Sequence, residues 1–165
     1  MRGLIMLPLL FATSAQADVL VRFSEGAPKD RFTITNMVDC PIGPIEVTVD
    51  LSTSASGLIF DVTSNGAGVE VYQPFELVAG EALIDGLPRV EDGDQAVSLQ
   101  ITGLEPGARV AFTIDVDVTL GERAITVNGS EIAGASIKVA VNGDVATGVF
   151  GEDATAQVAL ADCAA

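Results

Sequence analysis

Hydrophobic and polar positions alternate with a period of two through most of this chain, the pattern of strands that bury one face. Val19, Val21 and Phe23 share one side of a first strand, and Phe32 and Ile34 follow between Arg31, Thr33 and Thr35. Ile45, Val47, Val49 and Leu51 alternate with Glu46, Thr48 and Asp50, and Val97, Leu99 and Ile101 alternate with Ser98, Gln100 and Thr102. The longest run sets Val110, Phe112, Ile114, Val116 and Val118 against Ala111, Thr113, Asp115, Asp117 and Thr119. Helical spacing is hard to find.

The turn residues agree with strands. Asn-Gly tolerates positive φ at both positions and so matches the twist of a tight hairpin. It occurs as Asn65-Gly66, between Leu58 to Thr63 and Gly68 to Tyr72, and as Asn128-Gly129, between Ile125 to Val127 and Ser130 to Ile132. Asn142-Gly143 does the same between Ile137 to Val141 and Asp144 to Phe150. Asp92-Gly93 and Leu104-Glu105-Pro106-Gly107 offer further turns. About ten short, evenly spaced strands predict an all-β, antiparallel β-sandwich with Greek-key connections.

The start of the chain follows another rule. Arg2, an apolar run from Leu4 to Ala12 and Ala15-Gln16-Ala17 before Asp18 have the form of a secretory signal peptide at residues 1–17, cleaved between Ala17 and Asp18. The apolar run is far shorter than the roughly 20 residues that cross a bilayer as a helix. The expected mature protein is one domain at 18–165, secreted or periplasmic, with no membrane insertion after cleavage. An oxidising compartment favours joining Cys40 to Cys163, the only two cysteines. That disulfide would close a loop of roughly 120 residues and contribute about 4–5 kcal/mol on the chain-entropy model.

Charge narrows the partners. The chain has 8 basic and 23 acidic residues, net −15, and loss of residues 1–17 removes only Arg2, leaving it one unit more negative. Such a surface repels phosphate backbones and anionic headgroups, so nucleic acid and membrane surfaces are poor partners. Protein, cell-surface or cationic partners fit better.

Catalytic devices are scarce. With no His, the Ser-His-Asp, Cys-His and histidine-metal arrangements are all absent. The chain has no G-x-S-x-G elbow, S-x-x-K or phosphate-cradling glycine loop. Paired carboxylates could serve a glycosidase, but with no Trp and only Tyr72 as tyrosine there is little to stack a sugar on. No enzyme and no resident cofactor are expected, apart from calcium.

The calcium candidates are Asp115 and Asp117, about 7 Å apart on one side of a strand, and the turn residues Glu91, Asp92 and Asp94. The competing reading, a solvated strand face and ordinary turn chemistry, is preferred because, with Asp115 as the first position of a loop, the sixth is Leu120 where an EF-hand needs Gly. Asn65 to Glu70 faintly matches a calcium β-roll unit, which works only in tandem copies. Asn128-Gly129-Ser130 is a glycosylation sequon that the turn already explains. Tyr72, Pro74 and Phe75 mark an edge strand, with Phe75 expected in the core.

Phe32-Thr33-Ile34-Thr35-Asn36, Ile45 to Leu51 and the stretch Leu104 to Asp117 resemble strand phrases of bacterial extracellular immunoglobulin-like domains. Gly57 to Val62, Tyr72 to Gly80 and Gly129 to Ala135 resemble small secreted bacterial proteins labelled "aggregation factor core". The resemblance implies an immunoglobulin-like β-sandwich acting in adhesion or surface interaction, with calcium assisting. A fibre subunit that exchanges strands and a periplasmic binding or inhibitory domain remain as alternatives.

Overall fold

The computed structural model describes residues 19–63, 73–120 and 126–160. The expected signal peptide and cleavage site, the Asn65-Gly66 turn, Tyr72 and Cys163 lie outside these residues. Eleven strands, all paired antiparallel, form the described chain, with one 3-10 turn at Glu81–Leu83 and no α-helix among the described residues.

The strands are β1 (Val19–Ser24), β2 (Asp30–Asn36), β3 (Ile45–Asp50), β4 (Leu58–Phe60), β5 (Glu76–Ala79) and β6 (Ala96–Ile101). β7 (Arg109–Ile114), β8 (Val116–Val118), β9 (Ser136–Val141), β10 (Asp144–Val149) and β11 (Thr155–Val158) complete the set. One sheet has the order β11-β1-β2-β7-β5, a second the order β10-β9-β3-β6, and β4 and β8 form a separate two-stranded ribbon. The inward residues of both large sheets join one hydrophobic cluster, an arrangement consistent with a β-sandwich.

Alternation explains the elements. Val19, Val21 and Phe23 are buried on β1, Phe32 and Ile34 on β2, Ile45, Val47 and Val49 on β3, and Val97, Leu99 and Ile101 on β6. An aromatic stack pins β1, β2 and β7 together: Phe32 lies 5.0 Å from its cross-strand partner Phe112 and 5.2 Å from Phe23. Phe75, half-buried, adds a fourth ring 4.9 Å from Phe112.

Two expectations fail locally. The long run from Val110 to Val118 is two strands, because the chain leaves the first sheet at Asp115 to pair with β4. Asn128-Gly129 heads no hairpin: Asn128 Oδ1 accepts from the Ser130 N–H and hydroxyl, and Glu131 returns a carboxylate to the Asn128 N–H, a side-chain-built turn. Asn142-Gly143 does join β9 to β10, with φ of 50° and 92°. Gly148 lets β10 lie against β11 between the two sheets, since a Cβ there would come within 2.4 Å of the Gln157 carbonyl.

Candidate functional site

Register places the acidic residues of the β4–β8 ribbon on one side. Leu58 pairs with Val118, Ile59 with Asp117 and Phe60 with Val116, and the Asp61 N–H donates to the Asp115 carbonyl at 3.1 Å to continue the ladder. Leu58, Phe60, Val116 and Val118 therefore face one way, into the core, while Ile59, Asp61, Asp115 and Asp117 share the opposite face. Gln73 closes the end of the ribbon, accepting from the Asp115 N–H at 3.2 Å and donating to the Asp61 carbonyl at 3.3 Å. A fourth acid arrives from β2, where Asp30 pairs in register with Ile114, one residue before Asp115.

This face is shut off from water. Relative exposure is 2% at Asp30, 1% at Asp61, 6% at Asp115 and 2% at Asp117. The solvated-strand reading of Asp115 and Asp117 is thus corrected: the break after Ile114 turns both side chains under cover. Asp30 accepts the Gly26 N–H at 3.1 Å, and the Val116 N–H reaches both Asp30 and Asp115. The Asp61 carboxyl lies against that of Asp117. Asp61 Oδ1 and Asp115 Oδ2 are buried without a partner.

Burial of so many like groups favours their neutral forms. Burial, reinforced by Asp115 and Asp117, pushes the Asp30 carboxyl up to about 8, against the opposing pull of its backbone N–H bonds. Burial, then repulsion from Asp117 and Asp61, pushes Asp115 up to about 7. Asp61 also rises, through burial first and the Asp117 contact second. Three ion pairs among the described residues lie away from this face: Lys29 to Glu76 and Arg89 to Glu91, each at 2.7 Å, and Lys138 to Asp50 at 3.0 Å.

The turn at residues 91–94 forms the rim. Phe60 donates to the Asp94 carbonyl at 2.8 Å and accepts from the Gly93 N–H at 2.9 Å, which seats the turn on the end of β4. Asp92 Oδ1 accepts the Val62 and Thr63 N–H groups at 2.7 Å each, and Oδ2 takes the Thr63 hydroxyl. These bonds, the Thr63 hydroxyl foremost, hold the Asp92 carboxyl below its ordinary value. Asp94 Oδ2 accepts the Glu91 N–H at 2.8 Å. Asp92 and Asp94 thus serve turn chemistry.

The fold brings the two predicted acidic groups together, with Asp61 between them and feeling the charge of both Asp117 and Asp92. As placed, no three His, Cys, Asp or Glu side chains among the described residues form a metal-holding group. Sequence reading missed Asp30 and Asp61. For Asp30 a signal existed, since it shares the inward phase of Phe32, Ile34 and Asn36 on β2.

A second feature lies at the outer edge of the first sheet. Phe75, Leu77, Ile84 and Leu87 line a groove of about 440 Å³ with Glu76 and Glu81 on its rim. Among the described strands β5 pairs only with β7, and the following segment crosses to the second sheet, where Ile84 bridges Ile101.

Cys40 is not a free thiol, and its expected partner Cys163 is outside the described residues. No described helix is long and apolar enough to cross a membrane. No family model matches the chain, and no curated protein matches it.

Proposed function

We propose that this chain is an exported, non-enzymatic module of immunoglobulin-like Greek-key type that works by contact, in adhesion or surface interaction. The groove beside β5 carries this reading. It combines a strand at the edge of the described sheet, an apolar floor and two glutamates, Glu76 and Glu81. Leu87, 70% exposed, stands at its mouth. The occupant that fits is an extended segment of a cell-surface protein, one apolar side chain flanked by basic ones, adding to the β5 edge.

The resemblance to "aggregation factor core" proteins supports the same reading, as does the signal-peptide pattern before Asp18. The expected Cys40–Cys163 disulfide belongs to it as the clasp of an exported fold.

The test is binding of the oxidised protein, carried on beads, to the cells that export it. Retention that Leu87→Glu and Leu77→Glu each reduce at least tenfold supports the reading. Equal retention by both variants, or turnover in a substrate screen without cell binding, contradicts it.

A further inference from the structure

We propose that the covered acidic face of the β4–β8 ribbon is a proton-binding site: the native fold takes protons from the medium onto Asp30, Asp61 and Asp115, and holds those on Asp30 and Asp115 up to neutral pH. The fold is then most stable in mildly acidic surroundings and loosens as they turn alkaline. The inference is independent of the proposed contact function, because the cluster and the β5 groove share no residue.

Geometry carries it. The β4–β8 register forces Asp61, Asp115 and Asp117 onto one face, and β2 adds Asp30 beside Ile114. Two oxygens there, on side chains 1% and 6% exposed, have no hydrogen-bond partner. Ionised, each of those two oxygens has lost its water with no hydrogen bond in return. The contact with Asp117 adds to this by raising the affinity of the Asp61 carboxyl for protons.

The described elements bring further acids to the face. β2 contributes Asp30, the segment after β4 contributes Asp61, the β7–β8 junction and β8 contribute Asp115 and Asp117, and the 91–94 turn contributes the charge of Asp92. Lys29, the basic residue next to Asp30, is committed to Glu76 at 2.7 Å.

The sign follows from linkage. These acids bind protons more tightly when folded than when unfolded, so their contribution is fully present below the ordinary value of 3.8 and is lost as pH rises through 7 and 8. Ordinary acid denaturation runs the other way.

The experiment is thermal unfolding of the oxidised protein at pH 5 to 9, with and without millimolar calcium. Asp115→Asn and Asp30→Asn each replace one acid by a neutral near-isostere, and exposed Asp85→Asn serves as control. The expected wild-type midpoint falls by several degrees between pH 6 and 8.5. Either cluster variant flattens that fall and unfolds later than wild type at pH 8.5, while the control follows wild type. Two variants at separate positions protect the test against one that misfolds. A midpoint that is level or rises over this range overturns the proposal. So does a fall that calcium abolishes at pH 8.5, because a cation would then be the counter-charge.

Discussion

Asp30 and Asn36 begin and end the same strand, point to the same side and are 2% and 1% exposed, yet their surroundings differ in kind. Every polar atom of the Asn36 amide is used in a way that suits a neutral group. Its Nδ2 donates to the Cys40 carbonyl at 2.8 Å and the Leu104 carbonyl at 2.9 Å, and its Oδ1 accepts the Val38 N–H at 2.9 Å. Asp30 takes N–H bonds at the other end but faces Asp115 and Asp117. One end of β2 is a satisfied polar core that stitches loops together. The other is a crowd of acids that folding can tolerate only by neutralising it.

The largest effect should come from the neutral middle of the strand. Phe32→Ala empties the centre of the aromatic stack and should cost about 3–5 kcal/mol. Denaturant unfolding should return the same loss at pH 5 and pH 8.5, and a loss that depends on pH would tie the core to the acids. Next, Asn36→Ala removes a donor from each of the Cys40 and Leu104 carbonyls and the acceptor of the Val38 N–H, and should cost about 2–3 kcal/mol, again alike at both pH values. A smaller and pH-dependent loss there would erase the contrast between the two ends.

Asp30→Asn should behave oppositely. It should stabilise the fold at pH 8.5 by on the order of 1 kcal/mol or more, and by less at pH 5, where the native acid is neutral and only the unfolded chain loses an ionised group. A destabilisation at pH 8.5 would mean that the N–H bonds to Asp30 outweigh its repulsion. The smallest change belongs to the rim. Asp92 has a depressed affinity for protons, so its contribution is present above the ordinary value of 3.8 and fades as pH falls below it. Asp92→Asn should lower the unfolding midpoint slightly at pH 7 and not at all near pH 2. An equal drop at both would assign its role to shape instead of charge.

Much of the framework was legible because the period of two is enforced by burial. β1, β2, β3 and β6 each keep one phase from end to end, so their inward residues can be read directly from the chain. The site was legible only in part. Asp115 and Asp117 were singled out, but a strand pattern does not say where a strand changes partner. The change after Ile114 reverses their expected exposure. Asp61 follows three consecutive buried residues, Leu58, Ile59 and Phe60, where alternation carries no phase at all. Asn128-Gly129 misled for a related reason, since its local turn preference is real while the flanking strands are missing.

The central claim is that the acids under the ribbon hold protons at neutral pH. Carboxyl carbon chemical shifts of Asp30 and Asp115, followed in the folded protein from pH 3 to 9.5, measure this residue by residue. The account predicts midpoints far above the ordinary 3.8, near 8 for Asp30 and near 7 for Asp115. Midpoints below 5 for both, in a protein that remains folded, would contradict it.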